Sequence, residues 1–248
     1  QAALTDSLIS YWKLDETSGT RVDSVLASGN DLTDNNTVLS GAGKISNAAL
    51  FEEPLLEYLS RGDNASLSTG DIDFSLAFWF KQQGTTGDNN LMVKGLDANK
   101  EYAIAAPGCV DATKLSFIIA NDCTNGKYDL SGVVNDTWQF AVFEYRAADE
   151  FYFASLDGAT LASVDGTISS IDQTGGFAIG SGVGPGGYFD GLIDEVGFWK
   201  KLLTQAEISE LYNSGTGLSY PFGGGGKPRR QVIQESQRHI KAEEAIIV

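Results

Sequence analysis

The sequence has very little histidine, cysteine and methionine. Its 248 residues include one histidine, His239, together with two cysteines and one methionine. Because His239 lies close to the C-terminus, the body of the chain cannot assemble a Ser-His-Asp triad, a Cys-His pair or a histidine-based zinc site. No stretch approaches the roughly 18 apolar residues of a membrane span. Five prolines stand against 29 glycines, a balance that favours many turns and bulges.

Positive charge is also scarce. The chain has 17 basic and 33 acidic side chains, for a net charge of −16. The segment after Phe222 carries five basic and three acidic residues, so the body that precedes it has a charge of −18. An acidic body repels phosphate backbones and anionic membranes, so we expect neither nucleic-acid binding nor membrane insertion. Solubility, cation binding and docking of a basic partner remain open as explanations of this charge.

Short apolar segments between turn residues predict a protein built of β-strands. Residues 74–80 and 138–143 are apolar on both faces, which predicts central strands that are covered on both sides. Turns rich in Gly, Asn and Asp separate the segments, as in two stacked antiparallel sheets. The predicted strands lie near residues 8–14, 45–51, 56–60, 73–81, 91–95, 101–105, 115–120, 127–131, 138–145, 151–156, 176–180 and 188–199.

Residues 188–215 predict a long strand followed by a single short helix. Thr204 and Glu207 have the spacing of a capping box, and Gly215 lies where a left-handed C-cap is expected. Strict alternation places the strand's side chains on two faces, one with Leu192, Val196 and Phe198, the other with Ile193, Glu195 and Gly197.

These segments resemble the laminin-G-like, or concanavalin A-like, jelly-roll family. LISYWKLDETSGTRVDSVLASGNDLT (8–33) resembles its first strand and acidic loop, residues 43–51 its next strand, FSLAFWFK (74–81) its central strand, and 188–215 its last strand and helix. The resemblance covers residues 4–222. It implies an all-β, two-sheet antiparallel jelly-roll sandwich with one short C-terminal helix and an extended tail. This fold hosts lectins, hydrolases, adhesins and structural modules, so the resemblance alone does not assign a function.

A glycine run separates this domain from the tail. We expect a β-sandwich at 1–222, a flexible glycine hinge at 223–226 and an assembly tail at 227–248. Basic residues can bind an acidic body, and an extended apolar end can add to a sheet edge. The tail is therefore expected to dock on its own body or on a neighbouring subunit. The tail residues on which this depends are Lys227, Arg229, Arg230, Ile246, Ile247 and Val248.

The resemblance further implies a structural calcium ion between the first loop and the last long strand. Carried over to this sequence, its side-chain ligands are Asp23, Asn30 and Asp194, with Asp15 in reserve. Calcium takes roughly six to eight oxygen ligands, so backbone carbonyls would complete the shell. The alternative is that these residues only stabilise turns by bonding to their own backbone.

The two cysteines, Cys109 and Cys123, have 13 residues between them across a predicted strand–loop–strand segment. We favour a disulfide, which suits an extracellular or virion location and contributes about 3 kcal/mol in the chain-entropy model. Two buried free thiols are the alternative.

Catalysis is not expected. The closely spaced acidic triplet of the glucanases that share this fold is absent, and Asp71 and Asp73 share a strand face only at a predicted turn. The ending NSGTGLSYPF resembles sandwich modules of phage virion proteins and bacterial surface proteins. We therefore expect a non-catalytic structural or binding module of a larger extracellular assembly, most simply a virion decoration or fibre component, with neighbouring subunits as partners.

Two alternatives remain open. The first is a secreted, calcium-dependent carbohydrate-binding module, with loops 88–90 and 97–99 supplying polar groups and Tyr102 or Tyr128 stacking on a sugar ring. The second is a carboxylate glycosidase, in which Asp71 and Asp73 would supply the two acids.

Overall fold

The fold is a β-sandwich with one short helix. The computed structural model describes residues 3–83, 89–96, 99–106 (backbone only at 99 and 106), 114–120, 123–182 and 187–223. The strands of this part are β1 (Leu8–Trp12), β2 (Thr33–Asn35), β3 (Leu39–Ala42), β4 (Asn47–Phe51), β5 (Tyr58–Arg61), β6 (Phe74–Gln82), β7 (Asn89–Leu96), β8 (Asn99–Ala106), β9 (Leu115–Ile119), β10 (Lys127–Leu130), β11 (Gln139–Arg146), β12 (Phe151–Leu156), β13 (Ala162–Asp165), β14 (Phe177–Ile179) and β15 (Gly191–Trp199). The α-helix, α1, spans Gln205–Tyr212.

The strands form two antiparallel sheets. Sheet I has the order β13-β12-β11-β6-β15-β4-β3, and β1 also pairs with β15, so β4 and β1 follow one another along the same side of that long strand. Sheet II has the order β10-β9-β8-β7-β14-β5-β2. Every ladder is antiparallel and sequence neighbours are often distant in the sheet, as in a jelly roll.

The main core lies between the inner faces of the two sheets and is rich in aromatic rings. The Trp12 indole of sheet I stacks on Phe177 of sheet II, with ring centroids 5.2 Å apart. Phe74 contacts Tyr102 across the same gap at 5.3 Å. Such offset and edge contacts add roughly 0.5–1.5 kcal/mol per pair to the area that they bury.

A second apolar cluster covers the outer face of sheet I. Trp79 and Phe140 project outward from β6 and β11, and α1 packs on them through Ile208 and Leu211. The chain after α1 continues over this face, where Phe222 stacks on Trp199. The central strands of sheet I are therefore buried on both faces, as predicted from their apolar patterning.

A β-bulge in β15 corrects the predicted alternation. Glu195 has φ of 51°, and the pairing with β6 shifts between Asp194 and Gly197. Because of the extra residue, Ile193 joins Val196 in the main core, while Leu192 lies on the outer face and leans over Gly41. The prediction that Leu192 shares a face with Val196 was therefore wrong.

The helix begins as predicted and ends earlier. The Thr204 side chain accepts a hydrogen bond from the Glu207 amide, and the Glu207 carboxylate accepts one from the Thr204 amide at 2.8 Å, which confirms the capping box. The left-handed C-cap is Asn213, with φ of 47°, and not Gly215. Asparagine tolerates this conformation because its short polar side chain bonds locally.

Candidate functional site

The first predicted calcium ligand, Asp23, is part of its own loop. Its buried carboxylate accepts the amides of Tyr11 (3.0 Å) and Val25 (2.9 Å) through one oxygen and the Ser28 hydroxyl through the other. One oxygen therefore holds the acidic loop against β1, and the other bonds within the loop. This arrangement is the turn-stabilising alternative to metal binding.

Asn30 is buried beside β1 and fastens the same loop. Its amide nitrogen donates to the hydroxyls of Ser10 and Ser66, both at 2.8 Å, and its backbone carbonyl accepts the Trp12 indole N–H at 2.7 Å. The side-chain oxygen of Asn30 is buried without a hydrogen-bond partner.

Asp194, on the outer face of β15, bonds to a different segment. Its Oδ2 accepts the amides of Lys44 (2.8 Å) and Ile45 (2.9 Å), and its buried Oδ1 has no partner. Burial raises the pKa of Asp194 to about 8, the two amides lower it, and the neighbouring charges of Glu195 and Asp15 raise it further.

Glu195 makes this region strongly acidic. Both of its carboxylate oxygens are buried without a hydrogen-bond partner. Burial raises the pKa of Glu195 to about 7, although the nearby hydroxyls of Tyr11 and Ser219 act in the opposite direction. Asp15 bonds instead to the Asn47 amide at 3.2 Å.

The three predicted calcium ligands bond to different segments of the chain. Asp23 and Asn30 attach to β1 whereas Asp194 attaches to the turn before β4, and Asp23 keeps no free oxygen. Among the residues that the structure describes, no three Asp, Glu, His or Cys side chains are arranged to hold a metal ion. Calcium binding by Asp23, Asn30 and Asp194 therefore stays a prediction, and Asn30 and Asp194 each keep one unpartnered oxygen.

The carboxylates considered for catalysis are engaged in the framework. Asp71 accepts the Tyr145 hydroxyl at 2.8 Å, and Asp73 accepts the Ala147 amide at 2.9 Å. A glycosidase needs two acids that face a shared cleft with oxygens available to the substrate. In each of these two carboxylates one oxygen, Oδ1, fastens the chain at one end of β6 and β11.

A buried acid that the sequence analysis missed connects α1 to sheet I. Glu144 of β11 accepts the Leu203 amide at 2.8 Å and the Ser75 hydroxyl at 3.0 Å. Burial raises the pKa of Glu144 to about 7, and the Glu207 charge contributes in the same direction. The signal in the sequence was a lone acid inside an apolar strand, which in a buried strand requires donors from elsewhere.

The tyrosines proposed for sugar stacking have different environments. Tyr102 is fully buried in the main core and its hydroxyl donates to the Leu67 carbonyl at 3.2 Å, so the prediction that it could stack on a sugar was wrong. Tyr128 is half-buried on the edge strand β10. Asn89 and Asn90 are buried in β7. Residues 88 and 97 and the Asn99 side chain lie outside the described part.

Two other tyrosines form a partly exposed pair at one end of sheet II. Tyr58 lies on β5 next to the core residue Leu59, so its ring projects from the outer face. Tyr188 precedes the core residue Phe189 in the same way, and the two tyrosine rings are 6.2 Å apart with an interplanar angle of 55°. In the sequence, a tyrosine beside a core residue in both segments was the available signal.

Polar groups of β2 and β5 border this tyrosine pair. The Asn35 side chain donates to the Ser60 hydroxyl at 2.9 Å and to the Tyr58 carbonyl at 3.3 Å. Together with a bond to the Thr33 carbonyl at 3.0 Å, these bonds fix the position of the Asn35 amide on the β2–β5 ladder. We refer to Tyr58, Tyr188, Asn35 and Ser60 as the tyrosine surface.

Several predicted positions lie outside the described residues. Cys109 is one of them, so the disulfide stays a prediction, while Cys123 packs beside a small apolar cluster on the outer face of sheet II. The predicted assembly tail, 227–248, is another. Within the described part, no helix is both long and apolar enough to cross a membrane.

Comparison with solved structures shows the same fold in several binding domains. The binding domain of Paraclostridial Mosquitocidal Protein 1 is 14% identical, with a TM-score of 0.65 over 86% of this chain and 53% of that one. Domain 4 of AbnA, an arabinanase of Geobacillus stearothermophilus solved with arabinotriose, is 19% identical, with a TM-score of 0.61 over 86% of this chain and 98% of that one.

A third structure of similar fold is the sialidase of Trypanosoma rangeli. It is 14% identical, with a TM-score of 0.62 over 87% of this chain and 34% of that one. The chain thus spans about half the length of the toxin binding domains that it matches. A search of curated proteins gave no match.

A match to a family model assigns the chain to a family more directly than the similarity to these distant structures does. The Laminin_G_3 model matches residues 58–209, which is more than half of the sequence. The match includes the central strands of both sheets and most of α1. The chain therefore belongs to the Laminin_G_3 family of the concanavalin A-like lectin/glucanase superfamily.

Proposed function

We propose that the chain is a non-catalytic carbohydrate-binding module of a larger extracellular assembly, and that it binds sugar on the tyrosine surface. The observation that carries this proposal is the pairing of two partly exposed rings, Tyr58 and Tyr188, beside the Asn35 amide. Sugar sites combine an apolar platform for the C–H face of a ring with a few fixed polar groups for its hydroxyls.

The charge of the body favours an uncharged ligand. A body charge of −18 opposes the approach of sulfated, phosphorylated or sialylated glycans unless basic groups line the site. The side chains of the tyrosine surface are all uncharged. A neutral oligosaccharide therefore matches it better than an anionic one.

The hydrogen bonding of the acids supports a role without catalysis. Asp71, Asp73 and Glu144 each accept donors of the framework, which leaves them poorly placed to protonate a leaving group or activate a water molecule. The structure of AbnA domain 4 with arabinotriose gives independent support, since a domain of this fold there accompanies a sugar ligand.

The test is binding of neutral oligosaccharides, measured by calorimetry with the wild type and with Tyr58→Ala and Tyr188→Ala. Each variant is expected to weaken binding about tenfold, the equivalent of ~1.4 kcal/mol for the loss of one stacking ring. Phe153→Ala is the matched control. Its ring is also partly exposed, but the Arg146 guanidinium lies 4.9 Å above it, so it is not available to a sugar.

Equal binding by all four proteins would refute the tyrosine surface as the site. Release of reducing sugar from the oligosaccharides would refute the non-catalytic role. Loss of sugar binding when calcium is chelated would support calcium-dependent binding. Sugar binding that is unchanged by chelation would show that calcium is not required.

The assembly role rests on the sequence. A basic tail behind an acidic body suits attachment to neighbouring subunits, and a virion decoration or fibre component remains our proposal for the larger particle. Sedimentation of the chain with and without residues 223–248 tests this. Loss of oligomers on truncation is expected, and a monomer in both forms would contradict it.

A further inference from the structure

A lysine and two carboxylates meet at one end of the sandwich, away from the tyrosine surface. Lys94 of β7 and Glu101 of β8 both have fully buried side chains, with the Lys94 amine 3.3 Å from Glu101 Oε2. Asp63, just after β5, places its Oδ1 3.0 Å from the same nitrogen. The Asp63 side chain is 45% exposed, so the cluster opens to solvent on that side only.

Backbone groups hold both reactive side chains in place. The Lys94 amine donates to the carbonyls of Gly175 (2.8 Å) and Gln173 (3.1 Å). On the other carboxylate oxygen, Glu101 accepts the Thr69 hydroxyl at 2.8 Å and the Thr69 and Gly70 amides. Once one proton has passed to Glu101 Oε2, the two carbonyls can hold the remaining N–H bonds while the lone pair of the nitrogen faces Asp63.

We propose that Lys94 and Asp63 are joined by an intramolecular isopeptide bond, with Glu101 as the proton-transfer group. Glu101 accepts one proton from the Lys94 ammonium, and the resulting amine attacks the Asp63 carboxyl carbon. A C–N bond forms and a C–O bond breaks. The second nitrogen proton and the proton on Glu101 pass to the departing oxygen, which leaves as water. One positive and one negative charge become a neutral amide, and Glu101 returns to its carboxylate.

The fixed positions of Lys94, Asp63 and Glu101 make this reaction faster than the same reaction between separate molecules. Reacting groups fixed in contact within a closed site react as if at very high concentration, because their translational freedom has already been lost in folding. A positioned acid–base group 3.3 Å from the nitrogen removes the need for solvent to move the protons. The exposed side of Asp63 provides the exit for the water produced.

Another ion pair in the sheet lacks these features and serves as a control. Lys127 and Asp129 are 2.5 Å apart on β10, but both side chains are partly exposed and lie two residues apart on one strand. Their contact is open to water, so we expect it to remain an ordinary ion pair. The proposed bond, in contrast, joins β7 covalently to the chain after β5, which would slow unfolding of sheet II.

Intact-mass spectrometry of the reduced, denatured full chain tests the proposal. The wild type is expected to be lighter than its sequence by the mass of one water molecule, and so is Asp129→Ala relative to its own sequence. Lys94→Arg and Asp63→Ala are expected at their full sequence masses. A wild-type protein that is folded by circular dichroism and has its full sequence mass would overturn the proposal and leave an unreacted ion pair.

Tryptic mapping locates the bond. An acylated Lys94 resists trypsin, so peptide 82–100 should remain uncut at Lys94 and be recovered attached to peptide 62–81. Ordinary cleavage after Lys94 would contradict the bond. In Glu101→Gln the unjoined peptides are expected, and the wild-type cross-link appearing at full yield in this variant would refute the proton-transfer role of Glu101.

Discussion

Replacing Glu144 by glutamine should change how stability depends on pH. In the folded chain, burial raises the pKa of Glu144 from 4.5 to about 7. The folded state therefore binds this proton more tightly than the unfolded state. The contribution of Glu144 to the free energy of unfolding is most favourable below pH 4.5 and falls as pH rises to about 7.

The size of the effect follows from the two pKa values. Between pH 5 and pH 8, ionisation of Glu144 should lower the free energy of unfolding by about 2.5 kcal/mol, since one pKa unit corresponds to ~1.4 kcal/mol. A glutamine oxygen can still accept the Leu203 amide and the Ser75 hydroxyl, but it does not ionise. Its buried NH₂ group costs about 1–3 kcal/mol at every pH if it finds no acceptor.

The assay is urea denaturation followed by tryptophan fluorescence at several pH values. Glu144→Gln should be less stable than the wild type at pH 5, and the difference should shift in favour of the variant by about 2.5 kcal/mol by pH 8. Glu210→Gln, on the exposed side of α1, is the matched control and should follow the wild-type profile. Parallel profiles for Glu144→Gln and the wild type would refute the reasoning.

Two further substitutions test the local geometry. Thr204→Ala removes the hydroxyl that accepts the Glu207 amide, and should lower the free energy of unfolding by about 1 kcal/mol in chemical denaturation; no loss would show that the capping box is not needed. Gly180→Ala adds a Cβ 2.3 Å from the Phe51 ring at a φ of 85°, and should cost about 3 kcal/mol. Gly62→Ala, where nothing lies within 4 Å, is its control, and equal melting temperatures of the two variants would contradict the expected clash.

The long strands could be predicted because runs of apolar side chains indicate which segments are buried. β6 and β11 are apolar on both faces, and the structure covers both faces. β2, β3 and β13 were missed because they are short, lie at sheet edges and present mostly polar or exposed side chains, as in the sequence TDN of β2. Their strand conformation depends on pairing with a neighbour and not on local apolar periodicity.

The bulge in β15 shows a second limit of the sequence. Nothing in the alternation of residues 191–199 marks Glu195 as the extra residue, since the bulge arises from the register with β6 and β1. The sequence places each tyrosine beside a core residue, but for the same reason it does not show that the two tyrosines meet. Tyr58 and Tyr188 are far apart in the chain and meet only through the pairing of β5 with β14 and the course of the chain into β15.

The bonding partners of a side chain could be predicted from the sequence only where those partners lie nearby in the chain. Aspartate at position 23 fits either calcium binding or a turn, and its bonds to Val25 and Ser28 lie within its own loop. Lys94, Glu101 and Asp63 gave no local signal, because three strands and two loops must close before their charges meet.

A sandwich that binds a neutral glycan on the tyrosine surface should leave the sugar chemically unaltered. The most direct measurement is a titration of the full chain with neutral oligosaccharides, followed by NMR of the sugar and run in parallel with Tyr188→Ala. We expect strongly broadened sugar resonances with the wild type, weaker broadening with the variant, and no new products in either sample. Equal broadening in both samples, or the appearance of cleaved sugar, would contradict the account.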